Sequence, residues 1–133
     1  MHLTADFQFA PGPSTEFREA GTPRRIDRLR ETILVRALQE SLQNIRKHAD
    51  ARSVLVSLTW LDDEVILDVQ DDGAGFDPAT VPAPQDGHRV GLRTMRQRVE
   101  SAGGTWTIES SPGEGTSLAI SFPLGREEEF PNE

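Results

Sequence analysis

The chain has 133 residues, a formal net charge of −8, hydrophobic residues at 35% and no cysteine, which reads as one globular domain able to bury a core. So acidic a balance argues against a general binder of nucleic acid or of anionic membranes, because both need a basic surface. Without cysteine there are no disulfides, zinc-thiolate sites or thiol chemistry; with no signal peptide and no apolar run near 18 residues, the expected compartment is cytoplasmic.

In chain order, Leu3, Ala5, Phe7 and Phe9 alternate with His2, Thr4, Asp6 and Gln8, which predicts a half-buried strand. Residues 15–25 are polar and read as a loop that opens a helix. From about Ile26 to His48 the pattern is helical, with Leu34, Leu38, Leu42 and Ile45 forming one apolar stripe. Asp50 ends it. Val54 to Trp60 and Val65 to Val69 predict two strands joined by an acidic turn. Residues 71–88 are rich in Gly, Pro and Asp and lack a period, and so long an irregular segment is more often functional than idle. Leu92, Met95 and Val99 mark a helix from Gly91 to Ala102, closed by Gly103 and Gly104. Trp106 and Ile108, then Leu118, Ile120 and Phe122, predict two final strands around a turn at residues 110–115. This order predicts an α+β fold: a two-layer α/β sandwich with a mixed, largely antiparallel sheet packed on helices. One domain is expected over residues 1–125, followed by an acidic, disordered tail over residues 126–133.

Four constellations bear on chemistry. Glu40, Asn44 and Lys47 share one helical stripe at roughly 100° per residue, and offer a carboxylate, an amide and an ammonium as base, metal ligand and phosphate contact. The same stripe also reads as a solvated helix face. Asp71, Asp72, Gly73, Ala74 and Gly75 follow a strand directly. There the glycines let backbone approach a ligand, and a carboxylate at the strand end suits an exocyclic amine; an ordinary Asp-Gly turn is the alternative. This spacing lacks the Lys-Ser/Thr ending of a P-loop. Gly87 to Leu92 runs into a helix, and a helix N-terminus suits phosphate, although glycine punctuation reads equally there. Gly113, Glu114, Gly115 and Thr116 alone read as a hairpin turn. His2, His48 and His88 are too scattered for a metal site.

Taken together in this order, the four are specific. Gln39 to Ala49, with Glu40, Asn44, Lys47 and His48, resembles the N box of histidine kinases. Asp71 to Gly75 resembles the G1 box, Gly91 to Arg98 the G2 box, and Ser111 to Thr116 the closing glycine turn. The stretch from about Leu3 to Pro123 is similar to the ATP-binding catalytic domain of bacterial sensor histidine kinases, in the nitrate-sensor and DesK-like branch.

That resemblance implies a Bergerat (GHKL-type) fold, and ATP and Mg²⁺ held beneath a lid at about residues 76–90. It implies Glu40 as, or positioning, the base, Asn44 on Mg²⁺, and Lys47 on phosphate. Asp71 would accept from the adenine amino group, Gly73 and Gly75 would shape the base pocket, Gly91 and Leu92 would present helix N–H groups to phosphate, and Thr116 would support Asp71 or the adenine. Arg89 stands where many members carry the first G2 glycine, so the phosphate contact there falls to Gly87 or to Arg89 itself. The lid is short and holds Pro78, Pro82 and Pro84.

The implied activity is transfer of the γ-phosphoryl of Mg-ATP to a histidine on a separate dimerisation domain, with a response regulator as indirect partner. No acceptor-type histidine motif is present, so the chain reads as a piece of a longer kinase, unable to complete phosphotransfer alone. It is expected to be monomeric, without nucleic-acid or direct membrane contact, and the parent's membrane anchoring is left open. Two alternatives share the fold: a nucleotide-responsive module without catalysis, and an anti-sigma-type serine kinase.

Overall fold

The computed structural model describes residues 14–79 and 87–125, with backbone alone at residues 48, 49 and 87–90. The strand expected at residues 3–9 and the tail at 126–133 lie outside the described residues.

The first described element is a strand, β1 (Ser14–Ala20), in the segment expected to be a loop. Among the described residues it lies at the end of the sheet, parallel to β2 (Ser53–Trp60), with Phe17 opposite Val56. It alternates half-buried Thr15 and Phe17 with exposed Ser14, Glu16 and Arg18. That weak apolar period is easily lost among charges. The Trp60 Nε1–H donates to the Glu19 carboxylate at 2.8 Å and ties β1 to its neighbour.

Helix α1 (Arg28–Asn44) begins at Asp27, whose side chain accepts from the Arg30 N–H at 3.0 Å, satisfying one of the first-turn donors. Its stripe is buried as the period requires, with Leu34, Leu38, Leu42 and Ile45 at 8% exposure or less. After Asn44 the α-ladder widens into a π turn over Ile45–Ala49, rather than continuing as α-helix to His48. Asp50 then takes a left-handed conformation at φ 51°, which Asp tolerates better than most residues.

Strand β3 (Glu64–Asp71) forms the expected hairpin with β2. Helix α2 (Gly87–Ser101) starts one turn before the expected Gly91. It closes with the Gly103 N–H on the Glu100 carbonyl at 3.1 Å and the Gly104 N–H on the Val99 carbonyl at 2.9 Å, the paired bonds of a Schellman end. Strands β4 (Thr105–Ser110) and β5 (Thr116–Pro123) complete a sheet ordered β1-β2-β3-β5-β4, antiparallel except for β1.

One face of this mixed sheet (Val56, Leu58, Leu67, Ile120, Phe122) packs on α1 (Leu34, Leu38) and α2 (Met95, Val99) in a single core, so the expected two-layer α+β architecture holds. Among the described residues, no helix is long and apolar enough to cross a membrane.

Arg30 fastens the layers at one end. Its Nε–H donates to the Ala102 carbonyl at 3.1 Å and its Nη1–H to the Pro123 carbonyl at 3.4 Å, while its guanidinium carbon lies 5.6 Å from the centre of the Phe122 ring. Replacing Arg30 with Ala removes two cross-layer bonds and this cation–π contact. A destabilisation of about 1–3 kcal/mol is expected, read as a lower urea midpoint with an unchanged slope.

Candidate functional site

The site is assembled at the end of the sheet where β3 leaves it and α1 runs out. Asp72 fixes that corner. Its carboxylate accepts from the Arg52 N–H at 2.8 Å, the Ser53 N–H at 3.0 Å and the Ser53 hydroxyl at 3.0 Å. The Ser53 and Arg52 N–H groups and the Ser53 hydroxyl hold Asp72 below the usual carboxylate range. This clamp joins the chain just after the π turn to the end of β3.

The neighbouring carboxylate does something different. Register places Asp71 opposite Thr116, and Thr116 opposite Ser110, in one row across β3, β5 and β4. By strand alternation this row continues the face of Val69 and Leu118, the helix-covered face. Asp71 is half-buried, and its carboxylate accepts from the Gly73 N–H at 2.8 Å. Burial pushes Asp71 above the usual carboxylate range; the Gly73 N–H opposes this, the charge of Asp72 adds to it, and the Thr116 N–H opposes it.

The loop after Asp71 is interlocked with the β4–β5 turn. Gly75 has φ 64°, and a Cβ there would stand 2.1 Å from the Ser111 carbonyl oxygen; Gly115 has φ 78°, and a Cβ there would stand 2.2 Å from the Asp71 carbonyl oxygen. Both positions demand glycine for conformation and for space. Ser110, to which the sequence reading gave no role, is the pin between the two segments. Its hydroxyl accepts from the Phe76 N–H at 2.9 Å, and it lies 3.0 Å from the Gly115 carbonyl and 2.9 Å from the Thr116 hydroxyl. Nothing local marks Ser110 in the sequence, because its partners lie five, six and 34 residues away.

A cavity of about 430 Å³ opens at this corner, with Asp71, Ser110 and Thr116 of one row and Gln70, Glu109 and Ser117 of the next among its lining, so it wraps the end of the sheet onto its outer face. Among the described lining residues it carries three carboxylates and no lysine or arginine, which disfavours phosphate there.

A second cavity, of about 250 Å³, lies between the helices. Glu40, Gln43 and Asn44 of α1 face Gly91, Thr94 and Arg98 of α2 across it. The Arg98 Nη1–H donates to Glu40 Oε1 at 3.2 Å. The amide oxygens of Gln43 and Asn44 offer hard donors to a cation here, while the Arg98 guanidinium is engaged by Glu40. A larger apolar cavity of about 460 Å³ continues along the same two helices past Ile33, Ala37 and Met95, and Glu40, Thr94 and Arg98 line both.

The structure thus gathers Glu40, Asn44 and Gly91 at one cavity, and Asp71 and Thr116 at the other, with buried Gly73 and tightly seated Gly75 in the loop leaving Asp71. Lys47 is exposed on the π turn and lines neither cavity. The reading that placed it beside Asn44 assumed α-geometry throughout, and the π turn breaks that phase. Because α2 begins at Gly87, Gly91 lies a full turn inside the helix. The free N–H groups of the first turn therefore belong to residues 87–90. Leu92 turns its side chain into the core at 9% exposure. The side chain of Arg89, and residues 80–86 of the lid expected at about 76–90, lie outside the described residues.

Residues 30–126 match the family described as histidine kinase-, DNA gyrase B-, and HSP90-like ATPase. The chain belongs to this family. The ATPase domain is similar to the sensor histidine kinase YhcY of Bacillus subtilis (strain 168), at 39% identity over 109 residues, covering 81% of this chain and 27% of that protein. It is also similar to the signal transduction histidine-protein kinase/phosphatase DegS of Brevibacillus brevis, at 34% identity over 122 residues, covering 92% of this chain and 31% of that one. The ATPase domain therefore spans about a third or less of the length of these relatives. Its fold matches the histidine kinase domain from the Erythrobacter litoralis EL346 blue-light activated histidine kinase with a TM-score of 0.60, at 21% identity, over 87% of this chain and 58% of that one.

Proposed function

We propose that this ATPase domain binds Mg-ATP with the adenine at Asp71 and the phosphates between α1 and α2, and donates the γ-phosphoryl to a histidine on a separate dimerisation domain. The observation that carries this reading is the meeting of Glu40 and Asn44 of α1 with Gly91 and Thr94 of α2 across one cavity, with Asp71 half-buried on the helix-covered face of the sheet. A carboxylate such as Asp71 suits the N–H donor of an adenine amino group, and an amide oxygen such as that of Asn44 suits the cation that accompanies a triphosphate.

The donor set at the second cavity also suits Mg²⁺. A hard oxygen donor, the Asn44 amide oxygen, stands in its wall, and Mg²⁺ is usually held by one or two protein oxygens together with substrate phosphates. Asn44 would hold the ion, and its charge would neutralise the phosphate oxygens while the phosphoryl group transfers.

Glu40 is the carboxylate of this cavity able to take a proton from an incoming imidazole. The acceptor nitrogen forms an N–P bond, the bond from the γ-phosphorus to the β–γ bridging oxygen breaks, and ADP leaves with the electron pair. The proton on the imidazole's other nitrogen passes to Glu40. At the other end of the nucleotide, the Asp71 carboxylate orients the adenine. The similarity to two histidine kinases supports histidine as acceptor over serine, and the Gly-Leu-x-x-Met run at Gly91, Leu92 and Met95 supports the nitrate-sensor and DesK-like branch.

Titration calorimetry with ATP, in the presence of Mg²⁺ and of EDTA, tests the metal assignment. Asn44→Ala is expected to abolish the difference between the two conditions, with Mg-ATP affinity falling about 10- to 100-fold. Undiminished Mg-dependent binding by Asn44→Ala would show that Asn44 is not the metal ligand.

A further inference from the structure

Arg98 belongs to the G2-like run, yet the sequence reading gave it no role. It stands 58 positions from Glu40 in the chain and meets it across the helix interface. On α2, Gly91, Thr94 and Arg98 follow at steps of three and four and present one stripe to the cavity. On α1, Glu40 and Asn44 do the same. Two stripes thus face each other, and the Glu40–Arg98 pair bridges them. The other arginine of this helix with a resolved partner, Arg96, points elsewhere, pairing with Glu100 at 3.3 Å and lying over the Trp106 ring.

As a fastening for the fold, the pair is weak. Both side chains are more than 40% exposed, and exposed pairs add little to stability. Its position is more telling, because Glu40 and Arg98 line both the Asn44 cavity and the apolar groove beside it. A flexible carboxylate at such a junction has two directions open to it, and the guanidinium selects one. With Lys47 outside the cavity lining, Arg98 is also the cation among the described lining residues of this cavity.

We propose that Arg98 is the positioning residue for the Glu40 carboxylate, holding it from α2 in the wall of the Asn44 cavity, oriented toward the acceptor's proton. This rests on the proposed phosphotransfer with Glu40 as base. Arg98 itself touches neither the proton nor the transferred phosphorus. In the step it serves, the N–P bond forms, the bond to the β–γ bridging oxygen breaks with its electrons going to ADP, and the imidazole proton passes to Glu40.

The test is single-turnover transfer from γ-labelled Mg-ATP to a histidine-bearing dimerisation domain from a similar sensor kinase. It uses the whole chain as wild type, Arg98→Met, Arg98→Lys, Glu40→Gln, and the Glu40→Gln/Arg98→Met double variant. Circular dichroism verifies the fold of each. Arg98→Met is expected to lower the saturated transfer rate at least tenfold while the Mg-ATP Kd moves less than threefold. Arg98→Lys is expected to recover part of the rate, and the double variant to be no slower than Glu40→Gln alone, because a residue that acts through Glu40 has nothing to act on once the base is gone.

A Kd that rises with no change in the saturated rate would make Arg98 a phosphate ligand and overturn the proposal, as would losses that multiply in the double variant. If wild type forms no phosphohistidine, the phosphotransfer reading falls and this proposal with it. Wild-type transfer that Arg98→Met leaves untouched overturns the proposal alone.

Discussion

Asp71→Asn is expected to remove adenine recognition while leaving the fold as stable as before, or more so. The carboxylate accepts from the Gly73 N–H at 2.8 Å, and asparagine retains an oxygen for that bond. What changes is the second oxygen, which becomes an NH₂ donor and confronts the adenine amino group donor to donor. Loss of a hydrogen bond to a charged group costs about 1.5–3 kcal/mol, so ATP affinity should fall roughly 10- to 150-fold. GTP should lose far less, because guanine carries an acceptor at the corresponding position, and the ATP/GTP preference should collapse.

The stability half of this expectation follows from the direction of the pKa shift. Burial raises Asp71 above its ordinary value of 3.8, so the folded protein holds that proton more tightly than the unfolded chain does. The associated stability is fully present below 3.8 and is lost as pH rises through the folded value. At neutral pH the ionised group is therefore a cost, and the asparagine relieves it. Asp72 has the opposite sign: held below its ordinary value, it contributes stability above 3.8 that disappears as pH falls through the folded value. Melting curves of Asp71→Asn at neutral pH should show an equal or higher midpoint. A large drop would mean that Asp71 is mainly a structural group.

Glu40→Gln should leave binding intact and abolish most of the chemistry. Glutamine keeps the length of the side chain and an oxygen for the Arg98 Nη1–H, which donates to Glu40 at 3.2 Å, but it takes no proton. General-base contributions run at about 10²- to 10⁴-fold, and the transfer rate at saturating Mg-ATP should fall within that range. The Kd should move less than about threefold, and stability little, since an exposed pair contributes about 0–1 kcal/mol. Rapid-quench transfer and calorimetry on the same preparation read both quantities. Equal losses in rate and affinity would assign Glu40 to binding instead.

The parts of this molecule that were legible in the sequence are those where burial imposes a period. Leu34, Leu38, Leu42 and Ile45 announce a helix face, and Leu118, Ile120 and Phe122 a strand face, because each lies in the core. Strand β1 was missed because its apolar period is carried by Thr15 and Phe17 alone, and Glu16 and Arg18 on its exposed face look like loop residues. The start of α2 was misplaced because Gly87 to Val90 precede its buried residues, Leu92 and Met95.

At the candidate site, residues that sit together in one short motif can be named from the sequence, while those joined only by the fold cannot. Asp71 and Gly75 stood out in sequence. The Ser110 pin and the Arg98–Glu40 pair depend on partners 34 and 58 residues distant, and no spacing rule connects them. Lys47 shows the converse: its expected α-helical phase to Asn44 is altered by the π turn over Ile45–Ala49, which leaves no sequence signature.

The central claim is that this ATPase domain passes a phosphoryl group from ATP to histidine. The most direct test mixes the chain with γ-labelled ATP, Mg²⁺ and a histidine-bearing helical domain, then follows the protein-bound label through acid and alkali. The expected result is label on the helical domain that is lost in acid, survives alkali, and requires both Mg²⁺ and Asp71. Acid-stable label on a serine, or ATP binding without any transfer, would contradict it.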